Sequence, residues 1–124
     1  VLGYGESPPG KGMYLMDAPA YAPESLTGFS ASGAQVNLFT TGVGNSFVGL
    51  LAPTLKVSAN PETTARLRDQ IDIDASAAFI GTTALMDMAD EAWRTLLDVA
   101  SGTLTWGEIL KEGDETIARF GESL

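Results

Sequence analysis

The pattern of apolar and polar positions predicts strands that alternate with helices. The apolar run at 13–16 is short enough for a buried strand, and the segments 35–40 (QVNLFT) and 54–58 (TLKVS) predict two more. Residues 71–74, IDID, fit either a strand or a loop. Because such alternation is typical of a mainly parallel sheet covered by helices, we predict an α/β fold of the Rossmann-like, three-layer kind.

Helix signals lie between and after these strands. The strongest is a stripe of apolar residues at helical spacing, formed by Leu85, Met88, Ala89, Ala92, Leu96, Val99 and Ala100. The predicted helices are 23–34, a short one capped by Asn60, 83–100 with Gly102 beyond its end, a short one opened by the capping-box pair Thr105 and Glu108, and one from Asp114 to about Phe120.

The chain of 124 residues has the length of one domain, and its net charge is −9, from 16 acidic and seven basic residues. This charge disfavours nucleic acid and anionic membrane surfaces as partners. No apolar run approaches the roughly 18 residues needed to cross a bilayer, and no secretory signal is evident. Residues 1–12 are rich in glycine and proline and predict a linker before a domain at 13–124, and we expect the chain to be a piece of a longer protein.

The absence of cysteine and histidine narrows the possible chemistry. Without cysteine there is no disulfide, thiolate nucleophile or zinc-thiolate site. Without histidine the commonest general base and metal ligand are missing. Catalysis would therefore need carboxylates, lysine, tyrosine, a metal held by oxygen ligands, or groups from outside this chain.

Residues 39–49, FTTGVGNSFVG, form a glycine-rich loop after a predicted strand. The spacing differs from G-x-G-x-x-G, no Lys-Ser/Thr follows the last glycine, and the loop continues into an extended segment instead of a helix, all of which disfavour a nucleotide site. Two interpretations stay open: a turn that needs glycine for its dihedral angles, or a site for a small anion or hydroxy acid at the carboxyl edge of the sheet.

Charged residues on the predicted strands have open interpretations too. Lys56 alternates with apolar neighbours, so it is either a solvated strand residue or a carboxylate-binding group or base. Asp72 and Asp74 would share one face of a strand and could hold a divalent metal, although such residues more often cap or solvate.

Several motifs in fixed order resemble the carboxyl-terminal part of the altronate/galactarate dehydratase family of sugar-acid hydro-lyases. Residues 12–49 read GMYLMDAPAYAPESLTGFSASGAQVNLFTTGVGNSFVG, and 52–60 read APTLKVSAN. The family pattern is close to G-L-x-x-M-D-x-P-G-x-D-x-x-S-x-T-G, then F-T-T-G-R-G, then P-x-x-K-x-x-x-N. The similarity covers about positions 12–105, including the D-I-D stretch and the long helix that ends in A-S-G.

The resemblance implies a cytoplasmic enzyme that removes water from a hydroxy acid to give a 2-keto acid. It further implies a divalent metal, iron in particular, with ligands that it does not assign in this chain. Other domains of the parent protein would accompany this one, and a homodimer is possible. Residues that match the pattern are expected to line the substrate site: Asp17, Thr40, Thr41, Gly42, Gly44, Lys56 and Asn60. Lys56 and Asp17 are the expected catalytic groups, and Asn45 and Ser46 add neutral donors.

Two departures from the family pattern bear on the substrate. Val43 stands where the family has arginine, and Ala22 stands where it has aspartate. Because a guanidinium binds a carboxylate through two hydrogen bonds, we expect an altered hydroxy-acid substrate. Two alternatives remain: a non-catalytic assembly or regulatory domain, and a subunit of a sulfolactate sulfo-lyase. The chain alone is expected to have no dehydratase activity because it has few groups that could act as a base.

Overall fold

The structure is a computed structural model, and it describes residues 1–116 of the chain. The helices are α1 (Ala22–Ala31), α2 (Pro61–Arg66), α3 (Ser76–Phe79), α4 (Leu85–Ala100) and α5 (Trp106–Leu110). The strands are β1 (Asn37–Thr40), β2 (Val48–Gly49), β3 (Thr54–Ser58), β4 (Ile73–Asp74) and β5 (Gly113–Asp114). The predicted α/β class is confirmed.

All named strands pair in parallel. One sheet has the order β1-β3-β4, and a second, two-stranded sheet joins β2 to β5. In the larger sheet Thr40 lies opposite Val57 and Phe39 lies opposite Lys56. Since successive side chains of a strand point to opposite faces, Thr40 and Lys56 lie on different sides of the sheet.

The apolar core lies between β3, β4 and α4. Its buried members are Leu55, Ile73, Met88 and Val99, with partly buried Val36, Val57, Ala75, Ala78, Ala92 and Leu96 around them. The stripe predicted on the long helix is thus confirmed for Met88, Ala92, Leu96 and Val99. It is wrong for Leu85, whose side chain is 76% exposed at the first residue of α4, and for Ala89 and Ala100, which are exposed as well.

The amino-terminal segment packs against the domain more than its composition suggests. Leu2 is buried and pairs with Met16 in an isolated parallel bridge, and the Tyr4 hydroxyl donates a hydrogen bond of 2.6 Å to the Glu24 carbonyl. The stretch predicted to be a linker therefore contacts α1. The buried strand predicted at 13–16 is wrong, because Met13 and Leu15 are 96% and 70% exposed.

The helix boundaries are predicted most accurately where the sequence carries a local capping signal. The Asn60 side chain accepts a hydrogen bond from the Glu62 N–H at 3.0 Å, and Thr105 and Glu108 form the predicted capping box. Gly102, just past α4, has a φ of 109°, which favours glycine. Asp114 lies in β5 instead of capping a helix, and the helix predicted up to Phe120 falls in residues 117–124, outside the described part.

The Asp72 carboxylate joins the central strand to α5. One oxygen accepts the Lys56 N–H at 2.7 Å, and the other accepts the Trp106 N–H at 2.8 Å, at the first residue of α5. Burial raises the pKa of Asp72 above its ordinary value, although both N–H groups act in the opposite direction. The Asp72 side chain thus holds α5 in place. Within residues 1–116, no helix combines the length and the apolar character that a bilayer crossing requires.

We expect Asp72→Ala to destabilise the fold by about 2 kcal/mol at pH 7, because two partly buried N–H groups lose their acceptor. The folded pKa is raised, so the part of the Asp72 contribution that arises from this shift is fully present below the ordinary pKa of 3.8 and is lost as pH rises through the folded pKa. The difference in unfolding free energy between wild type and Asp72→Ala should consequently be larger at pH 4 than at pH 7. Urea titrations at several pH values measure it.

The matched control is Asp69→Ala, which removes an exposed carboxylate that makes no hydrogen bond within the described part of the chain. It should change stability by less than about 0.5 kcal/mol. Equal effects of the two substitutions would contradict the joining role of Asp72.

Candidate functional site

A cleft opens at the carboxyl ends of β1 and β3. Its volume is about 560 Å³, and it is lined by Thr40, Thr41, Gly42, Val57, Ala59, Asn60 and Phe79. The carboxyl edge of parallel strands is where open α/β sheets commonly bind ligands. Four of the residues predicted to line the substrate site therefore meet here: Thr40, Thr41, Gly42 and Asn60.

The glycine-rich loop is tied to the start of α2. The Gly42 carbonyl accepts hydrogen bonds from the Asn60 amide at 3.0 Å and from the Thr63 hydroxyl at 2.7 Å. The Thr41 hydroxyl accepts the Gly44 N–H at 3.0 Å. These bonds fix the loop beside the cleft.

Gly44 is required by the shape of this loop. Its φ is 90°, and a Cβ there would also meet the Leu67 side chain. Gly42, in contrast, has open space around the position of a Cβ. Gly44 thus supports the interpretation of the loop as a turn, whereas Gly42 lines the cleft.

The cleft offers neutral donors and an apolar wall. Thr40 and Thr41 contribute hydroxyls, Asn60 contributes an amide, and Val57 and Phe79 contribute apolar surface. Among residues 1–116, no ionisable side chain lines it. Such a surface can bind a carboxylate or hydroxyl group of a ligand, but it supplies neither a base nor a cation.

Lys56 lies elsewhere, buried on the opposite face of β3. It has no exposed surface, and its Nζ lies 3.4 Å from the Ser46 carbonyl oxygen and 3.5 Å from the Glu112 Oε2. The second contact is an ion pair without hydrogen-bond geometry. Lys56 therefore does not share the cleft with Thr40, contrary to the expected grouping, and its catalytic role stays a prediction.

The other predicted site residues are dispersed. Asp17 is exposed, and its backbone N–H donates to the Leu2 carbonyl at 2.9 Å. The Asn45 side chain accepts the Phe47 N–H at 2.9 Å, and Ser46 meets Lys56 through its carbonyl. None of these three lines the cleft. Their functional roles stay predictions.

Sequence reasoning missed Arg66 and Phe79. The Arg66 guanidinium donates to the Val43 carbonyl at 2.9 Å, which places a cation against the glycine-rich loop. Phe79 lies in α3, which no pattern predicted. In the sequence Arg66 was only a basic residue near a helix end, and nothing in its spacing indicated the loop as its neighbour.

The two aspartates considered as metal ligands are engaged within the fold. The Asp72 oxygens accept the two N–H groups described above, and Asp74 Oδ1 accepts the Ser76 N–H at 2.9 Å. Burial would raise the pKa of Asp74, but hydrogen bonds from Ser76 and Thr64 outweigh it and lower the pKa. Among residues 1–116, no three aspartate or glutamate side chains cluster as metal ligands would. A metal that depends on such a cluster would therefore need ligands from outside the described residues.

The fold is an α/β domain with parallel sheets, and its cleft lies at the sheet edge where domains of this class commonly bind ligands. The chain belongs to the family of carboxyl-terminal domains of D-galactarate/altronate dehydratases, which matches residues 1–123. The resemblance seen in the sequence motifs is thereby confirmed.

Named relatives include lyases of two kinds. The chain is 33% identical over 123 residues to the (2R)-sulfolactate sulfo-lyase subunit beta of Chromohalobacter salexigens, covering 99% of this chain and 32% of that protein. It is 32% identical over 108 residues to altronate dehydratase of Escherichia coli, and this match covers 87% of this chain and 21% of that protein. It is 31% identical over 102 residues to galactarate dehydratase (L-threo-forming) of Escherichia coli, and this match covers 82% of this chain and 20% of that protein. The chain thus spans between a fifth and a third of these relatives' lengths.

We expect the Lys56–Glu112 pair to be a structural element. Glu112→Gln should destabilise the fold by about 3–5 kcal/mol because it leaves the fully buried ammonium without a counter-charge. Lys56→Met should cost less, about 2–3 kcal/mol, since the Glu112 side chain retains 25% exposure. Chemical denaturation of both single variants measures these differences.

The double variant Lys56→Met/Glu112→Leu supplies the control, since it removes both charges at once. It should recover most of the lost stability, as buried ion pairs replaced by apolar residues often do. If the double variant were as unstable as the sum of the single variants, the pair would not be the interaction that these residues make.

Proposed function

We propose that this chain is the carboxyl-terminal domain of a lyase that acts on a small hydroxy acid, and that the cleft binds the carboxylate end of the substrate. The observation that carries the proposal is the set of neutral donors at the carboxyl edge of the sheet, from Thr40, Thr41 and Asn60. Membership of the dehydratase domain family supports the same reaction class. The other domains that the longer relatives carry are its proposed partners.

The proposed reaction is a β-elimination. A base takes the proton next to the substrate carboxylate, the electron pair forms a carbon–carbon double bond, and the β-hydroxyl leaves as water after protonation. The resulting enol becomes a 2-keto acid. Donors fixed before the reaction stabilise the charge that develops on the carboxylate, which is the contribution we propose for Thr41 and Asn60.

The base has to come from outside the cleft residues, because those have no ionisable side chain within the described part. We propose that another region of the whole enzyme supplies it. The ferrous iron expected from the family resemblance would likewise be bound by residues other than Asp72 and Asp74, whose carboxylate oxygens already accept backbone N–H groups.

Arg66 is the proposed cation for the substrate. It is exposed and uses one guanidinium N–H on the Val43 carbonyl, one residue after Gly42 in the cleft. A guanidinium carries five donors, so most of its hydrogen-bonding capacity remains for an anion. We propose that Arg66 partly replaces the arginine that family members carry at the position of Val43.

A sulfonated substrate is the second candidate. The match to the sulfo-lyase subunit spans 99% of this chain, against 87% and 82% for the two Escherichia coli dehydratases. In that case the same proton abstraction would expel sulfite from the β-carbon instead of water. The neutral donors and Arg66 suit either acid, so the leaving group has to be found by experiment.

We expect Val43→Arg to tighten binding of galactarate by about tenfold to a hundredfold, because it adds a charge-assisted pair beside the cleft. We expect Arg66→Gln to weaken binding by about tenfold for the converse reason. Calorimetric titration of galactarate into the 124-residue chain and its variants measures both. A parallel titration of (2R)-sulfolactate tests the second candidate, which tighter binding of that acid would favour.

Arg68→Gln is the matched control, since Arg68 is exposed and makes no hydrogen bond within residues 1–116. Its affinity for galactarate should equal that of wild type. If neither acid binds to any variant, or if all variants bind equally, the cleft is not the substrate site and the glycine-rich loop is only a turn.

A further inference from the structure

Side chains of α2 and of its cap hold two successive carbonyls of the glycine-rich loop. The Gly42 carbonyl accepts hydrogen bonds from the Asn60 amide and the Thr63 hydroxyl. The next carbonyl, that of Val43, accepts one from the Arg66 guanidinium. The three donors lie three positions apart along the chain, and residues at this spacing are neighbours on the surface of a helix. The backbone of the loop is therefore fixed relative to α2.

Thr63 is the donor of this group that stays out of the cleft. It is only 3% exposed and does not line the cleft, whereas Asn60 does. Its hydroxyl lies 2.7 Å from the Gly42 oxygen, closer than the Asn60 amide at 3.0 Å. Its methyl carbon lies 3.8 Å from the place that a Cβ of Gly44 would occupy. Any effect of the Thr63 hydroxyl on a ligand therefore has to pass through the Gly42 carbonyl.

The peptide group between Gly42 and Val43 has a fixed carbonyl and an unused N–H. In a trans peptide these two groups point in opposite directions, and the described residues contain no cis peptide. The Val43 N–H therefore points away from Asn60 and Thr63, and it makes no hydrogen bond within residues 1–116. Hydrogen bonds accepted by the carbonyl polarise the peptide group, which makes its N–H a stronger donor.

We propose that Thr63 is a positioning residue for the substrate: by holding the Gly42 carbonyl, its hydroxyl orients the Val43 N–H as a donor to the carboxylate of the acid. The inference rests on the proposed function, because it takes the cleft beside Gly42 as the site of that acid. A hydrogen bond from a backbone N–H to a carboxylate is charge-assisted and stronger than a neutral one. A donor that is fixed before the ligand arrives also loses little freedom on binding.

Thr63→Val tests the proposal, because valine keeps nearly the shape of threonine and lacks the hydroxyl. The ligand is whichever acid wild type binds more tightly, galactarate or (2R)-sulfolactate. Calorimetric titration into the 124-residue chain should show that Thr63→Val weakens binding by about three- to tenfold, which is the effect of one hydrogen bond. Thr63→Ser keeps the hydroxyl and should bind within about twofold of wild type.

Thr64→Val is the matched control. Thr64 also lies in α2 and is 6% exposed, but its hydroxyl donates to the Pro61 carbonyl at 3.3 Å instead of to the loop. Chemical denaturation should show a similar loss of stability for Thr63→Val and Thr64→Val, since each removes one hydroxyl from a buried position. The affinity of Thr64→Val for the acid should equal that of wild type.

The amide proton resonance of Val43 is a second readout, which a purely structural role of Thr63 would not change. At a saturating concentration of the acid it should move downfield in wild type and in Thr63→Ser, and should move less in Thr63→Val. The Gly44 N–H already donates to the Thr41 hydroxyl at 3.0 Å, so its resonance should move little and serves as the internal reference.

The outcomes separate this inference from the proposed function. If wild type binds neither acid, both are overturned. If wild type binds an acid but Thr63→Val and Thr64→Val reduce the affinity equally, only the positioning role is overturned. The same conclusion follows if Thr63→Ser loses as much affinity as Thr63→Val, or if the Val43 amide resonance does not move when the acid binds.

Discussion

Burial of β3 on both faces is the constraint on which the rest of the structure depends. Four of its five residues are buried, and they belong to both sides of the strand. On one side Leu55 reaches the apolar core beneath α4, and on the other Thr54 and Lys56 face away from that core. A strand side chain cannot change face without a shift in register. Because Lys56 lies between Leu55 and Val57, its side chain has to be buried inside the protein. The ion pair with Glu112 compensates the buried charge of Lys56, and it also joins β3 to the segment that leads to β5.

Local chemistry determines which parts of the fold can be predicted from the sequence. The strand 54–58, the Asn60 cap and the Thr105–Glu108 capping box are all as predicted, since each depends on residues within four positions of one another. The run at 13–16 is apolar but stays mostly exposed, because only Met16 finds a pairing partner, in Leu2. Apolar character predicts burial only if the rest of the chain supplies a surface, and sequence periodicity does not report that.

The location of the candidate site could be predicted from the sequence, but the full set of side chains that surround it could not. Threonines at the end of β1 and asparagine after β3 meet because parallel strands bring their carboxyl ends together. Which way Lys56 points depends on the pairing register, and the contact of Arg66 with the loop depends on how α2 packs, so neither could be read from spacing. The same holds for Asp72, for which both a metal-ligand role beside Asp74 and a capping role were open, and which accepts two N–H groups far apart in sequence.

On the proposed function, these arrangements separate two tasks that a lyase has to combine. Four charged side chains of the described part are used for its own architecture: Lys56 with Glu112, Asp72 with α5, and Asp74 with the start of α3. The cleft is left with hydroxyls, an amide and apolar surface, which hold their positions regardless of pH because none of them titrates near neutrality. A domain of this kind is suited to hold a substrate in a fixed orientation while the groups that gain and lose protons approach from elsewhere. On the same proposal, keeping titratable groups out of the cleft would let the affinity for an acid stay constant while the base works near its own pKa.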